Sequence, residues 1–85
     1  MKSPPPLEIQ FLPGAAKDLE GIPLKTAENI LLRIERFAAG APSDIKKLKG
    51  RGELRLRVGD YRVLLVKTGG RADIHRILHR REAYR

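Results

Sequence analysis

Cysteine is absent from this chain, which removes every disulfide framework and every metal site built on thiolates, and leaves a reducing compartment compatible. Long apolar runs are absent as well. None approaches the roughly 18 residues needed to span a bilayer, and the opening MKSPPPLE has no apolar signal-peptide core. The expected setting is therefore cytoplasmic, with no membrane partner. There is no internal repeat, and no low-complexity segment beyond the early prolines. Acidic residues are scarce in one half only. Residues 1–45 hold five Lys/Arg against six Asp/Glu, net −1, whereas residues 46–85 hold thirteen against four, net +9. Such asymmetry is the electrostatic footprint of a chain that meets nucleic acid or another polyanion, an acidic protein included.

What is present fits one domain of 85 residues. Residues 1–6 form a proline-rich lead expected to be disordered, and residues 7–85 form the single domain. Leu7 to Leu12 alternates apolar and polar residues and predicts a short strand with Leu7, Ile9 and Phe11 on one face. Pro13 to Glu20, closed by Gly21, predicts a short helix. After Pro23, Leu24, Ala27, Ile30, Leu31, Ile34, Phe37 and Ala38 recur at spacings of three and four, an amphipathic helix stopped by Gly40 and Pro42. Asp44 to Lys49 is a short extended segment.

The chain is organised around GRGELRLRVGDYRVLLV, residues 50–66. Leu54, Leu56 and Val58 alternate with Arg55 and Arg57, and Gly59-Asp60 interrupts before Tyr61 to Val66 resumes, which is a hairpin signature. A two-residue turn there sets Arg57 opposite Arg62, Leu56 opposite Val63 and Leu54 opposite Leu65. Like charges directly opposed cost a few tenths to about 1 kcal/mol, so folding alone gives no reason for the arginine pair and a bound polyanion would give one. Long side chains bending apart into water are the plain alternative. On this reading Arg62 has no carboxylate across from it, and its loss is expected to relieve repulsion and leave stability unchanged or slightly improved. Ala72 to His79 forms a further strand. Ile74 and Ile77 lie on opposite parities there, which calls for a bulge, and His75 shares parity with His79. The order predicts an α+β fold with two N-terminal helices on one face of a small, mostly antiparallel sheet of four to five strands. The other face stays open and carries Arg55, Arg57 and Arg62, with the chain end, Arg80, Arg81 and Tyr84, placed to return beside them.

The runs IKKLKGRGELRLRVGDYRVLLV and IHRILHRREAY, with AAKDLEGIP before them, resemble the RelE/ParE superfamily of bacterial toxin-antitoxin toxins from Leu7 to Tyr84. The resemblance implies a RelE-like fold and a ribosome-dependent mRNA endoribonuclease that inhibits translation and is neutralised by a cognate antitoxin. Its partners would be that antitoxin, mRNA on the ribosome and ribosomal RNA. Carried over by residue, it implies catalytic roles for Arg55, Arg62, Arg80 and Tyr84, with Arg81 a second claimant for the tail arginine. Some active members have a basic residue where Glu53 stands and a lysine where Arg55 stands. Two alternatives remain open: a ParE-like inhibitor of DNA gyrase without nuclease activity, and a homologue that only binds antitoxin.

Cleavage by the RNA's own 2′-hydroxyl needs a base, an acid and stabilisation of charge on a five-coordinate phosphorus. Arginines serve the last through bidentate donors, which suits Arg55, Arg62 and Arg80. Arg55 stays protonated and so holds phosphate rather than donating a proton. Tyr84 is a candidate base or a surface for stacking RNA, and its structural alternative is to cover the sheet edge. His79 is a rival acid or base, or a ring bonded to backbone at the strand end. Glu53 reads as a weak base or as a counter-ion to Arg55 or Arg57. Lys46, Lys47, Lys49, Arg51 and Arg57 are expected to meet RNA phosphates, or to keep a sheet edge soluble. His75 and His79 lack a third ligand, so neither metal nor other cofactor is expected.

Overall fold

The computed structural model describes residues 5–83, so residues 1–4 of the proline-rich lead, and Tyr84, lie outside the described residues. The elements in order are β1 (Glu8–Phe11), α1 (Pro13–Glu20), α2 (Leu24–Ala38), β2 (Ile45–Lys47), β3 (Glu53–Val58), β4 (Tyr61–Thr68), β5 (Arg71–His79) and α3 (Arg80–Ala83). The five strands form one sheet in the order β1-β5-β4-β3-β2. Every neighbouring pair is antiparallel except β1 and β5, which run parallel from Glu8 opposite Arg71 to Phe11 opposite Ile74.

The central hairpin has the expected register, with Leu54 facing Leu65, Leu56 facing Val63 and Arg57 facing Arg62. Gly59, at φ +58°, takes the first turn position and Asp60 the second, the arrangement of a type II′ turn, whose twist matches that of the strands it joins. Gly52 is held for a different reason: its φ is +73°, and a Cβ there would run into the Lys67 carbonyl.

The core lies between this sheet and the first two helices. Ala15 of α1 and Ile30 and Ile34 of α2 are buried with Leu56, Val58, Val63, Leu65, Ala72, Ile74 and Ile77. The α2 stripe is narrower than the spacing suggests. Ala27, Ile30, Ile34 and Ala38 are buried, whereas Leu24, on the flank of that stripe in the first turn, is 73% exposed. The parity conflict in β5 is resolved by a bulge. Leu65 pairs with Ile74 and Leu64 with Arg76, so His75 is the extra residue, and Ile74 and Ile77 both reach the core. The bulge also separates the histidines that alternation had placed together. His75 stays exposed beside Leu64 and Val66, and His79 pairs with Tyr61 in the register of the core-facing residues.

Where β1 ends, α1 takes over the outer edge of β5. Asp18 accepts hydrogen bonds from Arg76 Nε (2.8 Å) and Nη2 (3.1 Å) and from the Ile77 backbone N–H (2.8 Å), so one carboxylate serves a strand edge that has no strand beside it. Partial burial pushes this carboxyl up, but the Arg76 hydrogen bonds, the Ile77 N–H and the Arg76 charge outweigh it and hold the group below the ordinary aspartate range. A depressed folded-state value contributes stability above the unfolded value and loses it as pH falls through the folded one. Asp18→Asn is therefore expected to destabilise the fold near pH 7 by about 1–3 kcal/mol, with the gap to the parent closing below about pH 4. Thermal unfolding of both proteins across that range checks it, and a gap that persists at the acid end would show that charge is not its cause.

Candidate nucleic-acid interface

By register, the sheet face away from the helices carries two cross-strand rows. Lys46, Arg55 and Leu64 stand in one, and Arg57, Arg62 and Leu78 in the next. The lysines flanking β3 are not equivalent. Lys46 pairs with Arg55 on the open face, whereas Lys47 pairs with Leu54 in the core-facing register, although both side chains are exposed. Lys46 thus shares the open face with the arginines, from the edge strand β2. Lys49 and Arg51 sit in the connection between β2 and β3, exposed to solvent.

Arg62 differs from its expected role as a free-standing arginine. It is only 5% exposed, and its Nη1 donates to the Gly59 carbonyl (3.0 Å) and the Tyr61 carbonyl (3.1 Å). The guanidinium bends back to brace the hairpin turn while Arg57, its cross-strand partner, stays exposed. Folding therefore gives Arg62 a partner that the cross-strand register alone did not show, and its replacement is now expected to cost stability.

Arg80 reaches the same turn from the other side. Its backbone N–H donates to the Asp60 carbonyl at 2.6 Å, and its Nε lies 3.8 Å from Asp60 Oδ1, both side chains being well exposed. The β3–β4 turn therefore gathers Arg62 and Arg80, with Arg57 one ladder position away. Arg81 begins on the same short helix α3; its N–H donates to His79 Nδ1 at 3.3 Å, and its side chain is exposed. His79 is thus occupied at the strand end. Its ring meets Tyr61 edge-on at 5.4 Å between centroids, in the register opposite to that of Arg62 and the other open-face arginines. Tyr84, assigned to the site by resemblance, lies outside the described residues.

Glu53 stands two residues before Arg55, so both face the open side, and its carboxylate lies over Gly50, where a Cβ would collide with it. Among the described residues, no group of three or more His, Cys, Asp or Glu could hold a metal ion, and no helix is long and apolar enough to cross a membrane. Asp18, Arg76 and Tyr61 did not stand out in the sequence. Asp18 and Arg76 are brought together only by the fold, across 58 positions.

Residues 9–84 match the family model of the ParE toxin of type II toxin-antitoxin systems, parDE. Toxin RelE3 of Methanocaldococcus jannaschii is 32% identical over 84 residues, spanning 92% of this chain and 96% of that protein. The toxin fold in the crystal structure of the RelB-RelE antitoxin-toxin complex from Methanococcus jannaschii superposes with a TM-score of 0.76 at 32% identity, over 88% of this chain and 94% of that one. The RelBE2 toxin-antitoxin complex from Mycobacterium tuberculosis, at 24% identity and a TM-score of 0.67 over 87% of this chain and 98% of that one, shares the fold.

Proposed function

We propose, for a chain that belongs to the ParE toxin family of type II toxin-antitoxin systems, that it is an endoribonuclease that cuts mRNA on the ribosome. The observation that carries this is the convergence of Arg62 and Arg80 on the Gly59–Asp60 turn, with Arg57 opposite Arg62 and the Lys46–Arg55 row beside them. Guanidinium donors suit the charge that builds on a five-coordinate phosphorus, and a donor fixed beforehand costs less reorganisation as that charge develops. Arg62 is held by two backbone carbonyls before any RNA arrives. Arg55 and Lys46 hold the adjacent phosphates, and Tyr84 acts as base or orients the RNA. The partners are the message and ribosomal RNA in the cytoplasm. A cognate antitoxin is the further partner, supported by the RelB-RelE complex of the relative at 32% identity.

The match to a ParE family model favours a second reading, inhibition of DNA gyrase. Expression without antitoxin followed by pulse labelling separates the two. Protein synthesis is expected to stop first, with message cut and DNA supercoiling intact. Early loss of DNA synthesis with message whole would replace the nuclease reading by the gyrase one, and neither effect would leave a homologue that only binds antitoxin.

A further inference from the structure

Beside the basic rows, the open face carries a patch that phosphate binding leaves unused. Leu48, Leu64, Val66 and His75 line a hollow of about 230 Å³, with Glu53 at its side. In the hairpin ladder Glu53 faces Val66 and Arg55 faces Leu64, so a carboxylate and a guanidinium stand two residues apart on one strand, each against an aliphatic neighbour. Along the strand backbone the two positions are about 7 Å apart. The loop is tied in place. Leu48 N–H donates to the Glu53 carbonyl at 3.0 Å, Glu53 N–H donates to the Gly50 carbonyl at 3.2 Å, and the Glu53 carboxylate rests against Gly50.

We propose that this hollow takes one nucleobase of the bound RNA and that Glu53 accepts a hydrogen bond from the base's amino group, so that guanine, adenine or cytosine is favoured there over uracil. The inference rests on the nuclease reading, since it places RNA on the same face. The volume is below the roughly 300–1,000 Å³ of sites that enclose a whole ligand and suits a single planar group. Aliphatic walls and the His75 ring offer surface for an unstacked base, while Lys46 and Arg55 hold its phosphate. The carboxylate decides the chemistry. It repels phosphate but accepts from an exocyclic amine, whereas uracil offers no amine and sets a carbonyl on either side of its one ring N–H. An acidic segment of a protein partner would suit the basic rows but would meet Glu53 as a like charge.

The test titrates the full-length protein, with methyl-labelled Leu and Val, with 2′-O-methylated trinucleotides carrying G, A, C or U at one position, and in parallel with an acidic peptide. The Leu64 and Val66 methyls are expected to shift with RNA, and the uracil version to bind about tenfold more weakly. Glu53→Gln, whose amide both donates and accepts, should erase that discrimination while keeping the dispersed methyl spectrum of a folded protein. RNA that moves arginine Nε–H signals but not these methyls, or discrimination that survives in Glu53→Gln, overturns the base site and leaves the nuclease reading standing. Methyls that answer the peptide and not the RNA assign the hollow to a protein partner and overturn it equally. Trinucleotides that move no signal remove the base site, and message integrity on ribosomes then decides separately whether the nuclease reading goes with it.

Discussion

Arg62→Ala should unfold earlier than the parent and also lose most of its cleavage. The residue is 5% exposed, and its Nη1 makes two hydrogen bonds to turn carbonyls. Hydrogen bonds from a charged group contribute roughly 1.5–3 kcal/mol, and the relief of repulsion with Arg57 returns at most about 1 kcal/mol. The net effect is destabilising, and each kcal/mol is worth about 4–8 °C in Tm for a domain of this size. Activity should fall further than stability explains, by on the order of a hundredfold, for loss of a donor to the developing phosphorane. The two effects separate when single-turnover cleavage on programmed ribosomes is measured well below the variant's unfolding temperature. Arg62→Lys adds a second arm. It keeps the charge but loses the planar fork, so it should recover part of the stability and little of the rate. An unchanged Tm in Arg62→Ala would show that the brace on the turn is immaterial, and normal cleavage would remove Arg62 from the site.

The contrast between Arg62 and the hairpin that carries it shows what the sequence makes legible. Alternation from Leu54 to Val58, the Gly59-Asp60 turn and the β-branched run after it are local signals, and local pairing follows them closely. The bulge was legible too, because Ile74 and Ile77 cannot both face a core from a regular strand. Alternation states which side of a sheet a long residue leaves from, but not where its end goes. The Arg62 guanidinium travels back to carbonyls at Gly59 and Tyr61, a choice set by the space around it in the folded chain.

Non-local pairings were out of reach for a related reason. The partner of β1 is β5, more than sixty residues away, and either could have been an edge strand by composition. Asp18 then depends on that pairing, since it serves the stretch of β5 that β1 does not cover. The four residues of α3 are too few to show a helical period, yet they place Arg80 at the turn. The fold class was thus legible from patterning, whereas the convergence of two arginines at one turn needed the folded chain.

Arg80 is where that convergence can be tested with the least disturbance to the fold. Its position is set by the backbone, through the N–H bond to the Asp60 carbonyl at 2.6 Å, and that bond survives any side chain except proline. The side chain is 58% exposed, and the 3.8 Å approach of its Nε to Asp60 is an exposed ion pair of the kind that adds little or nothing to stability. Arg80→Ala should therefore unfold within about 0.5 kcal/mol of the parent. If the side chain swings from Asp60 to the phosphate, cleavage should nevertheless fall on the order of a hundredfold, matching Arg62→Ala in rate but not in Tm. Asp60→Ala supplies the opposite case: it removes the competing carboxylate while the residue 60 carbonyl still anchors α3, so cleavage should hold or rise. Arg81→Ala, on the next residue of the same helix, shows which of the two tail arginines is used. Full activity in Arg80→Ala with loss in Arg81→Ala would transfer the role to Arg81. Full activity in both would leave Arg62 without its partner at the turn and remove the observation on which the nuclease reading stands.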